Sequence, residues 1–403
     1  MIIMINPQTG QRELVYVTKI DKVEPIPGRD RVESAVVGGW TVMVRKDQFH
    51  AGDLGIYFEI DSKVPAKEPF EFLKSKNYKI KTQKYAIKDE NGNKIGQYWS
   101  QGLLMSFDDF DWEKDKYAEG TFLTKELEVI YADTEDNKRK GKSPDKYAKM
   151  TQRHPNLFKK PFVRKIMKYE CGRRVMFLLF GKKKDGKGWP EWVVKTDEER
   201  IQNLVHMIPE YSKETWIATE KIDGTSTTFT LKGRGRKADY RVCSRNVNMT
   251  QRNDGSWYET NVYTEMAEKY DMRKVLEDMM NLNSNIDFVT IQAETYGAGI
   301  QRRDYTMIYH DMAVFNVIFG YKDGSTERLN PAEGKSLMDT YNIPYVPVLG
   351  EVTLPDTCEG ILALAGGNSR IDGGMREGLV FRSLDGMKSF KAVDNEFLAK
   401  YHG

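Results

Sequence analysis

Hydrophobic and polar positions follow different patterns in the two halves of the chain. In the first half, short runs of β-branched and aromatic residues are separated by turns that contain Pro and Gly, a pattern typical of closely spaced strands. The predicted strands lie at residues 15–18, 32–37, 40–44, 56–60 and within 98–107. They favour a small antiparallel β-barrel.

The pattern changes near residue 190, where strands and helices mix. Strand-like runs occur at residues 215–219, 225–231, 289–293, 312–319 and 378–382, and helical periodicity occurs within 258–280 and 359–364. The two kinds of element do not alternate regularly, which favours an α+β fold with antiparallel sheets over a doubly wound fold. The sequence has no Walker A loop and no G-x-G-x-x-G motif, and Gly233 and Gly235 indicate a hairpin turn.

These patterns divide the chain into three predicted segments. Residues 1–130 form a barrel domain, residues 131–188 a connecting segment and residues 189–403 the α+β domain. A length of 403 residues suits two or three domains. An OB-type barrel, which often binds nucleic acid, is one candidate for the first segment, but on the strands alone any small barrel or sandwich that serves as a spacer fits better.

Composition narrows the class of protein. Hydrophobic residues make up 39% and charged residues 30%, as in globular proteins. The longest apolar run, residues 175–180, is far too short to span a bilayer, and no secretory signal is visible. The three cysteines and five histidines show no spacing typical of a disulfide framework or a metal cluster. We therefore expect a cytoplasmic protein without membrane contact.

The net charge of +3 conceals a strongly basic segment. Residues 138–188 contain 18 Lys and Arg residues against three acids, with Phe158, Phe162, Tyr169 and Phe177 among them. Such a run is equally consistent with a solvated surface and with a surface that grips a nucleic acid by its phosphates and bases.

Residues 219–225, with the sequence T-E-K-I-D-G-T, carry the clearest chemical signal. The spacing of Lys221, Asp223 and Gly224 suits a lysine that forms a covalent bond with a nucleotide, although K-x-D-G alone is weak and also fits a surface turn. A lysine attacks only without its proton, so lowering its pKa from about 10.4 to near neutrality needs roughly 4–5 kcal/mol of bias from burial, nearby cations or a metal. In an extended strand, Asp223 would lie on the same face as Lys221 and could hold a hydrated cation.

Further motifs follow in order along the chain. They are C-S-R-N at 243–246, Q-A-E-T-Y-G at 292–297 with G-I-Q at 299–301, V-F-N at 314–316, R-E-G-L-V-F at 376–381 and S-F-K at 389–391, with T-D-E-E-R-I-Q-N upstream at 196–203. Together with residues 221–224, they resemble the motifs of ATP-dependent polynucleotide ligases, most closely the RNA ligases that carry an N-terminal OB-like domain. The resemblance covers residues 190–400 and also extends to residues 15–65.

This resemblance implies a role for each site residue. Lys221 is the adenylated lysine, and the nucleotide- or phosphate-binding residues are Arg200, Glu220, Arg245, Glu294, Phe315, Glu377, Lys388 and Lys391. Phe315 stacks on adenine, and Glu220 accepts a hydrogen bond from its amino group. Carboxylates with retained waters suit Mg²⁺, and Asp223, Glu294 and Glu377 are the candidate metal ligands.

The fifth motif departs from the family pattern, which is often Lys-x-Lys. Ser389 occupies the first lysine position, and Lys388 lies one residue earlier. Strand alternation would send Lys388 and Lys391 to opposite faces unless a bulge intervenes. Lys391 is therefore the firmer candidate.

The resemblance implies an antiparallel-sheet nucleotidyltransferase domain, of an ATP-grasp-like ligase type, that acts as a monomer. Its expected reaction is the sealing of RNA 3′-OH and 5′-phosphate ends, such as nicks in RNA-containing duplexes, with ATP and Mg²⁺ or Mn²⁺. Two alternatives remain, an mRNA-capping guanylyltransferase and a nucleic-acid-binding protein with a decayed transferase domain. The N-terminal position of the barrel argues against the first, and the retained lysine and three carboxylates argue against the second.

Overall fold

The computed structural model describes most of the chain as two β-rich domains. The described residues are 13–88, 93–132, 157, 160–167, 169, 172–173, 175–176, 188–195, 198–249 and 261–402. Most of the basic segment 138–188 lies outside these residues, so both interpretations of it stay open. Within it, α1 spans Pro161–Ile166.

Short antiparallel strands form the N-terminal domain. They are β1 (Val15–Lys19), β2 (Lys22–Ile26), β3 (Arg29–Val37), β4 (Trp40–Arg45), β5 (Leu54–Phe58), β6 (Ser62–Lys63), β7 (Lys79–Ile80), β8 (Gln83–Lys88), β9 (Lys94–Ser100), β10 (Leu103–Met105) and β11 (Ile130–Tyr131). They pair in the orders β1-β5-β10, β2-β3-β4, β11-β6-β7 and β8-β9. Alternation explains the packing, since Trp40, Val42 and Val44 of β4 are buried and the residues between them are half-buried.

The single strand predicted within residues 98–107 is wrong. The chain forms two strands there, because Gly102 adopts a φ of +95° between β9 and β10. A Cβ at this position would lie 2.7 Å from the carbonyl oxygen of Phe58, so the turn requires glycine. After β10, Ser106 caps a short 3₁₀ turn at Phe107–Phe110.

Two antiparallel sheets form the C-terminal domain. The strands are β12 (Thr215–Lys221), β13 (Thr225–Lys232), β14 (Asp239–Ser244), β15 (Ile286–Gly297), β16 (His310–Tyr321), β17 (Thr326–Arg328), β18 (Val348–Thr353), β19 (Gly378–Ser383) and β20 (Ser389–Val393). The helices are α2 (Ile208–Tyr211), α3 (Val262–Lys269), α4 (Met272–Met280), α5 (Pro331–Thr340), α6 (Cys358–Ala365) and α7 (Asn395–Phe397). The larger sheet has the order β14-β13-β15-β16-β17 and the smaller β18-β12-β19-β20.

Each sheet has its own hydrophobic core. Helices α3, α4 and α5 cover one face of the larger sheet, where Leu276 and Met279 pack against Phe229 and Ile291. Trp216, Phe381 and Phe390 lie in the core between α6 and the smaller sheet. The side chains on the other face of each sheet are therefore not needed for these cores and can line a cleft between the two sheets.

The helical periodicity within residues 258–280 corresponds to two helices. Its described part forms α3 and α4, which are separated by Asp271 with a φ of +44°. Both helices pack on the larger sheet, where Met266 of α3 and Met279 of α4 belong to the same core. None of the helices in the described part of the chain is long and apolar enough to cross a membrane.

The barrel packs directly against the C-terminal domain. Val393 and Leu398 belong to the barrel's own core. Trp40 donates its indole N–H to Asn203 Oδ1 at 2.7 Å, and Lys84 pairs with Glu396. The chain division at residues 130 and 188 stays a prediction, since these contacts do not define a linker.

We predict that Leu276→Ala destabilises the protein by about 2–5 kcal/mol, because it leaves a cavity in a fully buried core. Urea unfolding followed by circular dichroism measures this change. Leu282→Ala is the matched control, since Leu282 is 62% exposed and its loss should cost less than about 0.5 kcal/mol. Equal effects of the two substitutions would contradict the core assignment.

Candidate active site

The K-I-D-G segment crosses from one sheet to the other. Strand β12 ends at Lys221 and β13 begins at Thr225, so the predicted extended strand stops before Asp223. Lys221 pairs in register with Gly378 of β19, which brings the preceding residue, Glu377, beside it. Ser226 pairs with Glu294 of β15, so acids from both sheets meet at the lysine.

Close backbone packing at the crossing requires glycine. A Cβ at Gly224 would lie 2.3 Å from the carbonyl oxygen of Thr295 and 2.9 Å from Cγ of Glu294. A Cβ at Gly378 would lie 2.2 Å from the carbonyl oxygen of Ala392. These separations are far below contact distance, so any larger residue would push the strands that carry the acids apart.

An ion pair lies at the centre of the site. Nζ of Lys221 is 2.6 Å from Oε1 of Glu377, with side-chain exposures of 25% and 10%. Burial by itself lowers the pKa of Lys221, but Glu377, Glu294 and Asp223 outweigh it and raise this pKa above its usual value. The acids therefore keep Lys221 protonated, so burial alone does not make it a nucleophile.

The pKa values of the neighbouring carboxyl groups are raised, whereas an ordinary ion pair lowers the pKa of its acid. Burial raises the pKa of Glu294 to about 8, and Glu377 and Asp223 add to this rise while Lys221 and Arg245 oppose it. Burial also raises the pKa of Glu377. The cluster thus contains more acid than its cations compensate.

Two buried oxygens fit a divalent cation. Oδ2 of Asp223 and Oε2 of Glu377 have no hydrogen-bond partner, which is costly unless something binds them. Within the described ranges, no three His, Cys, Asp or Glu side chains converge closely enough to hold a metal directly. The site therefore suits a cation that retains several waters, as Mg²⁺ does.

Glu220 is fully buried and holds a loop. Its Oε2 accepts a hydrogen bond from the backbone N–H of Arg370 at 2.8 Å, and its Oε1 accepts one from Ser369. An adenine amino group would have to use the remaining lone pairs. Glu220 thus fixes residues 369–370 beside the cleft, and its contact with adenine stays a prediction.

Phe315 lies between the two sheets. It is half-buried and packs with Ile222, Tyr296 and Tyr305. Arg382 and Tyr345 donate to its carbonyl oxygen at 3.0 and 3.1 Å. These two hydrogen bonds fix the backbone that carries the Phe315 ring.

Arg200 and Lys391 are neighbours at the edge of the smaller sheet. They form a backbone bridge, and Lys391 lies opposite Val380, which lies opposite Thr219. Directly opposed residues share a face, so Lys391 lies on the same face as Lys221. Nη2 of Arg200 is 3.2 Å from Oδ2 of Asp61 in the barrel.

Lys388 lies apart from this group, whereas Arg245 lies near enough to the acid cluster to lower the pKa of Glu294. Nζ of Lys388 pairs with Glu210 at 2.9 Å and Glu214 at 2.5 Å, which directs it away from the cleft. Ser389, in the usual lysine position, donates to Glu198. Arg245 is exposed, and its guanidinium lies 5.8 Å from the ring centroid of Tyr131.

Two further residues reach the site without belonging to any motif. The hydroxyl of Tyr305 accepts a hydrogen bond from the backbone N–H of Asp223 at 2.6 Å. Nε2 of His402 is 3.4 Å from Oδ1 of Asp223. No spacing in the sequence points to either residue, because both are brought to Asp223 by tertiary structure.

Comparisons with known proteins agree with this geometry. Residues 214–402 match the family model of RNA ligases, and residues 14–107 match that of an OB-fold domain. The RNA ligase match covers nearly all of the C-terminal domain. The predicted fold class, an OB barrel followed by an antiparallel-sheet ligase domain, is thereby confirmed.

Solved structures of an RNA ligase from Naegleria gruberi are similar to this chain over nearly its whole length. A mutant with ATP and Mn is 26% identical, covers 97% of this chain and 100% of that chain, and has a TM-score of 0.69. The ligase with PPi is 25% identical, covers 97% and 99%, and has a TM-score of 0.70. A mutant with AMP and Mn is 26% identical, covers 97% and 99%, and has a TM-score of 0.69.

No curated protein sequence matches the chain. The chain is an enzyme that forms phosphodiester bonds.

The raised pKa of Glu294 predicts that the stability of the protein depends on pH. Its pKa is about 8 in the folded protein against 4.5 as the ordinary value, so the folded state retains a proton that the unfolded chain loses. Stability should fall as pH rises from about 4.5 to 8. Without metal, Glu294→Gln should therefore raise the melting temperature at pH 8 and change it little near pH 4.5.

Thermal melting in EDTA at the two pH values measures this difference. Glu351→Gln, on the exposed side of β18, is the control and should show no such pH dependence. A Glu294→Gln effect of equal size at both pH values would contradict the raised pKa.

The two candidate lysines of the fifth motif should behave differently. Lys391→Ala should lower the rate of RNA joining by about 10²–10³-fold, the usual loss when one charge-stabilising donor is removed. Lys388→Ala should leave this rate unchanged, because its ammonium is engaged by Glu210 and Glu214. Gel assays of both variants on one nicked RNA substrate test this, and a comparable loss in both would show that Lys388 also acts in the cleft.

Proposed function

We propose that this protein is an RNA ligase that uses ATP to seal 3′-OH and 5′-phosphate ends through an adenylate on Lys221. The observation that carries this proposal is the Lys221–Glu377 pair inside a buried cluster of acids, in a chain similar to a ligase with ATP and Mn. In the first step, Nζ of Lys221 loses its proton and attacks the α-phosphorus of ATP, and pyrophosphate leaves. AMP then passes to the RNA 5′-phosphate, and attack by the 3′-OH releases AMP and closes the strand.

Deprotonation of Lys221 is the first requirement of this chemistry. Glu377, Glu294 and Asp223 raise the pKa of Lys221, so their charge must be compensated before the amine can react. A divalent cation, Mg²⁺ or Mn²⁺, would neutralise the acids and so favour the uncharged amine. Oδ2 of Asp223 and Oε2 of Glu377 are the buried oxygens that would hold its waters, with Glu294 beside them.

The other residues would position ATP and stabilise developing charge. Phe315 offers an apolar ring for adenine, and Arg200 and Lys391 would neutralise charge on the phosphates. Nη1 of Arg200 is buried without a hydrogen-bond partner, so the guanidinium has a donor left for an anion while Asp61 holds Nη2. Arg245, exposed at the end of β14, would contact the RNA or its terminal phosphate.

A break in an RNA-containing duplex is the proposed substrate. A sealing enzyme must act on any sequence, and A-form duplexes are read mainly by shape and 2′-OH contacts, which suits this need. The N-terminal position of the OB domain agrees with such a ligase and argues against a capping enzyme. A monomeric state and a cytoplasmic location stay predictions.

Labelling with nucleotides carrying ³²P at the α-phosphate tests the mechanism. We expect label from ATP to remain on the denatured protein in the presence of Mg²⁺, and none to remain on Lys221→Met. Lys213→Met, an exposed lysine near the start of β12, is the matched control and should label normally. Joining of ordinary 5′-phosphate ends by Lys221→Met with ATP would contradict the covalent mechanism.

Two further outcomes separate the alternatives. Label from GTP alone would indicate a guanylyltransferase. No label from either nucleotide, on protein shown to carry no AMP beforehand, would indicate a binding protein. Comparing nicked RNA, nicked DNA and single-stranded RNA as substrates then tests the proposed duplex break.

A further inference from the structure

The last helical turn of the described chain ends in the active site. This turn, Leu398–His402, follows α7 and has π-helical hydrogen bonding. Phe397, just before it, is fully buried, and its ring centroid lies 5.8 Å from that of His402. The turn is thus packed in place and carries His402 to Asp223.

The barrel domain fixes the position of this turn. Leu398 is buried in the barrel core. Asn395 accepts a hydrogen bond from Gln101 at 2.8 Å, and Glu396 accepts one from Gln97 at 2.8 Å and pairs with Lys84. Contacts to both domains therefore determine where His402 lies.

The two oxygens of Asp223 have different surroundings. Oδ1 lies 3.4 Å from Nε2 of His402, whereas Oδ2 is buried without a hydrogen-bond partner. Lys221 pairs with Glu377, and among the described residues no other side chain forms an ion pair with Asp223. Nε2 of His402 is itself buried and makes no hydrogen bond at this separation, so it is a donor available to hold this carboxylate.

We propose that His402 is a positioning residue, which holds Oδ1 of Asp223 so that Oδ2 faces the divalent cation. The inference rests on the proposed function, since it assumes that cation. Groups that hydrogen-bond to the ligands of a metal fix their orientation, and their loss typically weakens metal binding by about 10–100-fold. The separation of 3.4 Å needs only a small movement to reach a charge-assisted hydrogen bond of about 2.7–2.9 Å.

The proposal needs only an N–H at Nε2 of His402. This tautomer donates to Oδ1 whether or not the other ring nitrogen also carries a proton. A side chain that offers an N–H at similar reach should therefore replace the imidazole in part. His402→Gln is this conservative variant, and His402→Ala removes the donor.

Binding of Mn²⁺ alone to the full-length protein, free of AMP and nucleotide, tests the proposal without relying on activity. Electron paramagnetic resonance measures free Mn²⁺ during titration. We expect His402→Ala to bind Mn²⁺ about 10–100-fold more weakly, and His402→Gln to retain most of the affinity. Lys400→Ala is the matched control in the same turn, where Nζ contacts only the Tyr401 ring among described residues, at 4.8 Å from its centroid, and it should bind Mn²⁺ normally.

Thermal melting in EDTA tests for a general loss of folding. All three variants should have the same melting temperature as the wild type. Unchanged Mn²⁺ affinity in His402→Ala would overturn the proposal and leave His402 as part of the packing of the turn. Tighter binding would also overturn it, because the imidazole would then compete with the cation. Equal losses in the Ala and Gln variants, or no Mn²⁺ binding by the wild type, would likewise overturn it.

The proposed function and this inference fail in different ways. If the wild type binds Mn²⁺ and His402→Ala does not, but neither takes label from ATP, the covalent mechanism fails and the role of His402 stands. If the wild type labels on Lys221 and both proteins bind Mn²⁺ equally, the mechanism stands and the role of His402 fails.

Discussion

A surplus of buried acid around one lysine is the constraint on which this active site depends. Lys221 is paired with Glu377, and Asp223 and Glu294 lie close enough to alter its pKa. An uncompensated charge away from water is costly, so the cluster must keep a proton or gain a cation. In the metal-free protein the proton remains, with the pKa of Glu294 near 8. A divalent cation bound there would compensate the negative charge in place of this proton. It would thereby lower the pKa of Lys221 and favour its uncharged amine.

The backbone of two sheets makes this concentration of charge possible. Each sheet is stabilised by its own core, one beneath α3 and α4 and the other beneath α6, so polar residues can occupy the space between the sheets. The chain crosses between them at residues 222–224, where only glycine fits at 224. The face of each sheet that its helices cover thus contributes the hydrophobic core, and the faces between the sheets carry the polar residues of the candidate site.

The barrel contributes to the catalytic half as well as preceding it in sequence. Asp61 holds the guanidinium of Arg200, and the barrel core includes Val393 and Leu398 from the C-terminal domain. The strand that carries Lys391 and the turn that carries His402 are therefore both packed against the barrel. The position of Arg200 and Lys391, the proposed phosphate-binding residues, therefore depends on how the two domains pack together.

The sequence alone predicted about half of the strands and the chemical groups of the candidate site. Runs of β-branched and aromatic residues located the longer strands, such as β3, β13, β15 and β16, because those residue types favour half-buried strands. The sequence missed β2, β6, β7, β8, β11, β14, β17, β18 and β20, and it treated β9 and β10, on either side of Gly102, as one strand. The motifs pointed to Lys221 and to Asp223, Glu294 and Glu377, whose functional groups suit nucleotidyl transfer, and the roles of these residues stay predictions.

Tertiary structure decided how these groups act. Whether Lys221 is charged depends on Glu377, 156 positions away in the chain, and the partners of Lys388 and Glu220 are similarly distant. His402 and Tyr305 lie outside every motif and reach Asp223 only through folding. Residue identity and local period are written in the sequence, whereas the distances that set pKa values and hydrogen bonds exist only once sheets, barrel and final turn are packed together.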